Sequence, residues 1–282
     1  MLSISVLKKS IKHKSKRPLM IKSASYVCEI PYNHVTKTKV SNKKNGLTQA
    51  LRQRGPLTSL IPEFHTPGFL LIVEKGRTID SFEEASFETF ISLLQPKASD
   101  DKPLNKLVDL PHLFDHLLFG RLDSKTCEDI VNKASRIHLP VSDAHGDLHT
   151  KNIVFTKNNE RKLIDWEHYK KKSSYILDLF HLLLRKEGMK RRLSWTEVIK
   201  LDVFDHPDFN KILNRHQLTL HDFIFSYVLN RIYLEGSKKM TCEGFLKHTE
   251  VEKFKEAALY CYRYTASSQQ KSRLQETTLS TN

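Results

Sequence analysis

Glycine is absent from the first 45 residues of this 282-residue chain, and only nine occur in all. A glycine-rich loop that brings backbone N–H groups close to a ligand is therefore excluded there. The four cysteines, Cys28, Cys127, Cys242 and Cys261, are far apart and form no Cys-x-x-Cys pair. That spacing suggests neither a zinc site nor a disulfide framework, and a reducing cytoplasm is the expected compartment. No apolar run approaches the roughly 18 residues of a membrane span. Met1 to Leu7 is too short, and too soon followed by lysines, to read as a signal peptide. Acids are also scarce at the start: residues 1–62 hold thirteen Lys or Arg against Glu29 alone, so nearly all of the net charge of +14 resides there. The run Lys8, Lys9, Lys12, Lys14, Lys16 and Arg17 suits either a solvated arm or contact with an anionic surface, nucleic acid or lipid. No aromatic residue interleaves these lysines, which removes the stacking platforms that single-strand binding wants.

With 39% hydrophobic residues the chain can bury a sizeable core, in one bilobal domain or two small ones. Residues 18 to about 80 read as β-rich. Leu19 to Lys22 and Tyr26 to Ile30 form two strands joined by Ser23, Ala24 and Ser25. Val40, Leu47, Ala50 and Leu51 mark a helix over Thr36 to Arg54, stopped by Gly55-Pro56. Phe69 to Val73 is a continuous apolar strand between Pro67-Gly68 and Lys75-Gly76. The middle is helical. Phe82, Ala85, Phe90, Ile91 and Leu94 share one face, Pro96 to Pro103 is a linker, and Leu104 to Leu122 is broken by Pro111. Ser124 then caps a helix carrying Ile130, Val131, Ala134 and Ile137.

The most informative stretch runs from His145-Gly146-Asp147-Leu148-His149 to Asn152, and on to Ile164-Asp165-Trp166-Glu167. Ile153 to Phe155 and Lys162 to Ile164 have strand composition and flank a polar turn. With Asn158-Asn159 as a two-residue tip, facing residue numbers sum to 317 and Asn152 faces Asp165. Neighbouring strands lie roughly 5 Å apart. An amide oxygen and a carboxylate would then converge where the hairpin opens, with Asp147 on the loop before it, a place to hold a divalent cation beside a base.

The Asp-x4-Asn spacing, the hairpin and the second Asp resemble the catalytic loop and metal-binding segment of kinase-like phosphotransferases. His-Gly-Asp-Leu-His with Ile-Asp-Trp-Glu resembles specifically the aminoglycoside phosphotransferase and choline kinase branch. The resemblance implies an α+β, bilobal kinase-like fold with a small, reduced β-rich N-lobe and a larger, mainly helical C-lobe carrying the catalytic hairpin. In that scheme residues 1–17 are a basic arm and 18–76 the N-lobe, with a hinge near 74–76. Residues 77–265 are the C-lobe, and 266–282 a disordered tail rich in Ser, Thr and Gln. ATP and Mg²⁺ are the implied cofactors, and a small-molecule or glycan hydroxyl is the acceptor. Asp147 becomes the general base, and Asn152 and Asp165 become the metal ligands. His145 holds the loop, and Asp178 buttresses it. Adenine would meet backbone groups near Val73 and Lys75.

The N-lobe departs from the family. Its usual strand lysine falls near Glu29, and no acid lies between Glu29 and Glu63 to act as the helix partner. Two readings are open. In one the ion pair is kept with charges exchanged, Glu29 on the strand and Lys43 or Lys44 on the helix. In the other Glu29 faces solvent and Lys22 supplies the charge. Further on, Ser194-x-x-Glu197 and Thr219-x-x-Asp222 match capping boxes, the second opening an apolar helix closed by Gly236. A final aromatic-rich helix spans Val251 to Tyr264. Asp205, Asp208, His221, Asp222 and Glu235 are candidate acceptor contacts or ordinary surface and cap residues. The alternative function is a catalytically inactive pseudokinase that binds nucleotide or a partner.

Overall fold

The computed structural model describes residues 16–78, 90–96, 100–201 and 207–279; the side chains of 208 and 264–279 are not described. Most of the basic arm and the helix face begun by Phe82 and Ala85 lie outside those residues, as does Asp205. Two compact units emerge. The first comprises residues up to Pro96, Ser142–Lys172 and Lys238–Gly244, and the second Lys97–Val141, Ser173–Ser237 and the chain from Phe245 on. Among the described residues no helix is long and apolar enough to cross a membrane.

In the first unit, β1 (Leu19–Lys22), β2 (Tyr26–Ile30), β3 (Phe64–His65) and β4 (Leu71–Glu74) form an antiparallel sheet in the order β1-β2-β4-β3. Met20 stands opposite Glu29 and Lys22 opposite Val27, and on the other side Glu29 meets Leu71 and Val27 meets Val73. Facing residues share a side of the sheet, and the side alternates along each strand. One face therefore carries Met20, Lys22, Val27, Glu29, Leu71 and Val73. Phe69, expected inside a strand, is instead 64% exposed in the Pro67–Leu70 turn.

Between β2 and β3 lies α1 (His34–Gln53), opened by a capping box in which Asn33 accepts from the Thr36 amide at 2.8 Å. Arg54 ends it in the left-handed region at φ 51°. Val40, Leu47 and Ala50 are its buried apolar residues. Gly46 lies on the inner side too, where an added Cβ would stand 2.0 Å from the Trp166 carbonyl oxygen. Only glycine lets a helix pack this closely on another backbone.

The expected hairpin pairs β9 (Ile153–Phe155) with β10 (Arg161–Leu163), while β5 (Arg77–Thr78) flanks β9. Its register differs by one from the expectation: Phe155 faces Arg161 and Ile153 faces Leu163. Asn159 adopts φ 60°, and its amide bonds to the Thr156 carbonyl at 3.0 Å. Asparagine tolerates that conformation, so the loop closes over three residues rather than two. Asn152 consequently pairs with Ile164, whose amide donates to the Asn152 carbonyl at 2.9 Å.

In the second unit β6 (Asp101–Pro103) pairs with β7 (His138–Pro140), which follows α2 (Ser124–Arg136). Asp123, not Ser124, caps α2, accepting from the Thr126 amide at 2.8 Å. β8 (Ser142–Ala144), which pairs with β11 (Lys170–Ser173), belongs to the first unit, and the second resumes with α3 (Tyr175–Arg191), buried nearly all round. The remaining long helices are α4 (Pro207–Arg215), α5 (Leu220–Glu243) and α6 (His248–Leu279). Gly236 does not close α5. It lies inside, where a Cβ would come within 2.7 Å of Leu117, so packing explains the glycine. The backbone of α6 runs from His248 to Leu279.

Candidate active site

Within the first unit, β8 delivers the loop that carries His145, Asp147 and Asn152. Gly146 turns it at φ 79°, and a side chain there would strike the His168 carbonyl oxygen at 2.3 Å. His145 is fully buried, and its Nε2 donates to the Ile164 carbonyl at 2.9 Å while its ring packs edge-on against Trp166. Burial pushes its pKa down, so the imidazole is neutral and ties the loop to the far strand of the hairpin. Asn152 Nδ2 donates to the Asp147 carbonyl at 2.8 Å and lies 3.3 Å from the Asp147 carboxylate. His149 Nε2 approaches the same carboxylate at 3.5 Å.

Asp165 follows the hairpin one residue past the pair that Asn152 makes. A one-residue slip in a strand turns a side chain to the opposite face. Here the backbone kinks instead, with Asp165 at φ 67° and ψ 53°. Its carboxylate meets Lys43 Nζ at 3.2 Å, and the same ammonium lies 3.0 and 3.2 Å from the two Glu29 oxygens. Lys43 follows Val40 by three residues and precedes Leu47 by four, so it sits on the buried stripe of α1. Lys44, a hundred degrees further round the helix, donates to the Gly68 carbonyl at 2.6 Å. Glu29 is only 9% exposed, which removes the reading in which it faces solvent. Lys22 lies on the same sheet face.

Two cations and three acids are coupled here. Burial lowers the Lys43 pKa, but Asp165 and then Glu29 outweigh it, and the net shift is upward. Burial likewise pushes the Asp165 carboxyl up, yet Lys43 and then Lys238 hold it below the usual carboxylate range. Glu167 is raised, first by burial and then by Asp165. It forms an ion pair with Lys238, from the last turns of α5, a residue with no signal in the local sequence. Glu167 Oε2 is buried without a hydrogen-bond partner among the described residues.

Glu29, Lys43 and Asp165 border a 350 Å³ cavity lined also by the rest of the sheet face, Leu47, Lys75, Val154 and Ile164. Val73 and Lys75 both line it. The backbone there is engaged, however: the Lys75 amide donates to the Ser25 carbonyl at 2.7 Å, and Val73 pairs with Val27 and Phe64. Ser23 to Ser25 is thus a clasp on the Lys75 segment.

Among the described residues no group of three or more His, Cys, Asp or Glu is arranged as a complete metal cage. A hard divalent ion of the Mg²⁺ kind takes only one or two protein carboxylates and fills its remaining positions with phosphate and water. The set present fits that requirement. It offers the Asn152 amide oxygen, an Asp165 carboxylate already facing a cation, and the unsatisfied Glu167 oxygen beside it.

Asp178 belongs to the second unit, where it is buried in the first turns of α3. Of the candidate acceptor contacts, Asp222 pairs with Lys133 at 3.3 Å and Glu235 with Arg231 at 2.6 Å, both structural roles. Burial lowers the pKa of His221.

The fold resembles that of a solved choline kinase. The chain resembles choline kinase LicA from Streptococcus pneumoniae with a TM-score of 0.53 and 14% identity, over 92% of this chain and 98% of that one. Aminoglycoside phosphotransferase APH(2'')-Ib bound to ADP gives a TM-score of 0.47 and 16% identity, over 92% and 97% of the respective chains. Plasmodium vivax ethanolamine kinase gives 0.44 and 10%, over 88% and 83%. No protein-family model and no curated sequence matches the chain.

Proposed function

We propose that this protein is an ATP-dependent phosphotransferase acting on a hydroxyl of a small molecule or glycan. The observation that carries the proposal is the cluster of Asp147, Asn152 and Asp165 beside a cavity into which Lys43 is held by Glu29. Asp147 accepts the proton of the attacking hydroxyl as its oxygen bonds to the γ-phosphorus and the bridging bond to ADP breaks. Asn152 and Asp165, with Glu167 beside them, would hold Mg²⁺, which neutralises charge on the transferring phosphoryl group when bound. Lys43 supplies a point charge for the phosphates from the helix side, in place of a strand lysine. The purine sits against Val27, Leu71, Val73 and Ile164.

Two observations favour the pseudokinase reading: Lys43 is engaged with two carboxylates, and the Lys75 amide with Ser25. ATP turnover against a panel of amino alcohols, sugars and aminoglycosides, with Asp147→Ala as control, separates the two. Turnover abolished by the substitution supports the enzyme. Mg-ATP binding with no turnover for any acceptor supports the pseudokinase.

A further inference from the structure

The second unit contains an 810 Å³ cavity that shares no residue with the site described above. It is walled by α2, the start of β7, Asp101 of β6, the loop after α4, the start of α5, and Tyr262 of α6. Most of its charges are matched. Lys133 pairs with Asp222 at 3.3 Å, and Asp129 accepts from the Tyr262 hydroxyl at 2.7 Å. His216 Nε2 shares a 3.1 Å hydrogen bond with the Tyr175 hydroxyl; burial chiefly raises the tyrosine's pKa and lowers the histidine's, and Asp101 and Arg215 both lie close enough to contribute.

Two charges are not matched. Arg136, in the last turn of α2, and Arg215, in the last turn of α4, both line the cavity, and neither has a carboxylate within ion-pair distance among the described residues. The carbonyl ends of their helices account for a cation at each place, but not for two guanidinium groups opening on one cavity. A guanidinium presents parallel N–H donors that match the oxygens of a phosphate, and both groups remain at the surface, so little desolvation opposes binding. Asn132 and Gln217 add amide donors to the same wall. The volume exceeds that of a bare phosphate and leaves room for a small organic body.

We propose that this cavity binds a phosphate-bearing small molecule, gripped by Arg136 and Arg215 and separate from the nucleotide cleft. Inorganic pyrophosphate titrated calorimetrically into the full chain is the probe. A saturable site is expected, weakened at least tenfold by either Arg136→Ala or Arg215→Ala and missing in the pair, whatever pyrophosphate the nucleotide cleft still takes up. Arg215→Lys should retain part of it, because a point charge replaces a fork. Replacement of Lys8, Lys9, Lys12, Lys14, Lys16 and Arg17 by Gln should leave this binding in place. Since both arginines are exposed, the variants should melt with the wild type. No saturable binding, or a double arginine variant that keeps the wild type's affinity and number of sites, overturns the proposal. Citrate binding as tightly as pyrophosphate overturns the phosphate assignment.

Discussion

Removing Lys43 and removing Glu29 should have unequal costs, and the inequality follows from who is left behind. The Lys43 ammonium serves two carboxylates, Glu29 at 3.0 Å and Asp165 at 3.2 Å, and the Lys43 and Glu29 side chains are only 16% and 12% exposed. Lys43→Ala leaves two acids without that cation. Breaking a buried pair in this way costs about 3–5 kcal/mol, because the stranded charge keeps its desolvation penalty. Glu29→Ala leaves Lys43 still facing Asp165, so its cost should be about 1–2 kcal/mol, nearer that of one charged hydrogen bond. Lys44→Ala loses a surface contact with the Gly68 carbonyl and should change stability by less than about 0.5 kcal/mol. Urea unfolding of the three variants and the Lys43→Ala/Glu29→Ala double gives the order and the coupling. The double should be less damaged than the singles add up to, because removing the second carboxylate relieves the strain created by the first change. Equal losses for Lys43→Ala and Lys44→Ala, or strict additivity, would refute the exchanged ion pair as a structural unit.

Three further outcomes follow. Gly46→Ala gains up to about 1 kcal/mol of helix propensity but drives a Cβ to 2.0 Å from a backbone carbonyl that cannot swing away. The clash should win, lowering stability by about 1–3 kcal/mol and shifting α1 enough to weaken nucleotide binding, measured by unfolding and by titration with ATP. The folded pKa of His145 is depressed by burial, so the unfolded chain takes up a proton that the folded chain does not. Its contribution is therefore lost as pH falls through the unfolded value of about 6.5, and His145→Gln should flatten the fall in stability between about pH 7 and 5. For Asp165 the folded pKa is likewise lowered. Its stabilisation is present above an unfolded value of about 3.9 and is lost as pH drops below that, so the stability gap between wild type and Lys43→Ala should narrow in acid.

Much of the site was legible because its chemistry is local. Asp147 and Asn152 sit five residues apart on one loop, and the hairpin announces itself by composition. What misled was backbone conformation. Asn159 in the left-handed region adds a residue to the turn, and Asp165 in the same region re-aims the side chain that the changed register would have displaced. The choice between Lys43 and Lys44 was in principle readable, since Val40, Lys43, Leu47 and Ala50 fall on one helical stripe. Gly46 inside that helix carried a hint of close backbone approach. Lys238 could not have been found: it reaches Glu167 from 71 residues away, on a helix whose local pattern says nothing about its partner. Gly236 shows the opposite error, a packing glycine taken for a helix stop.

The most direct measurement is the calorimetric affinity of Mg-ATP for the wild type and for Lys43→Ala, with Lys44→Ala alongside. Loss of a charge-assisted contact worth about 1.5–3 kcal/mol predicts roughly 10- to 150-fold weaker binding for Lys43→Ala and little change for Lys44→Ala. Equal affinity in all three proteins would contradict a phosphate cradle built on Lys43.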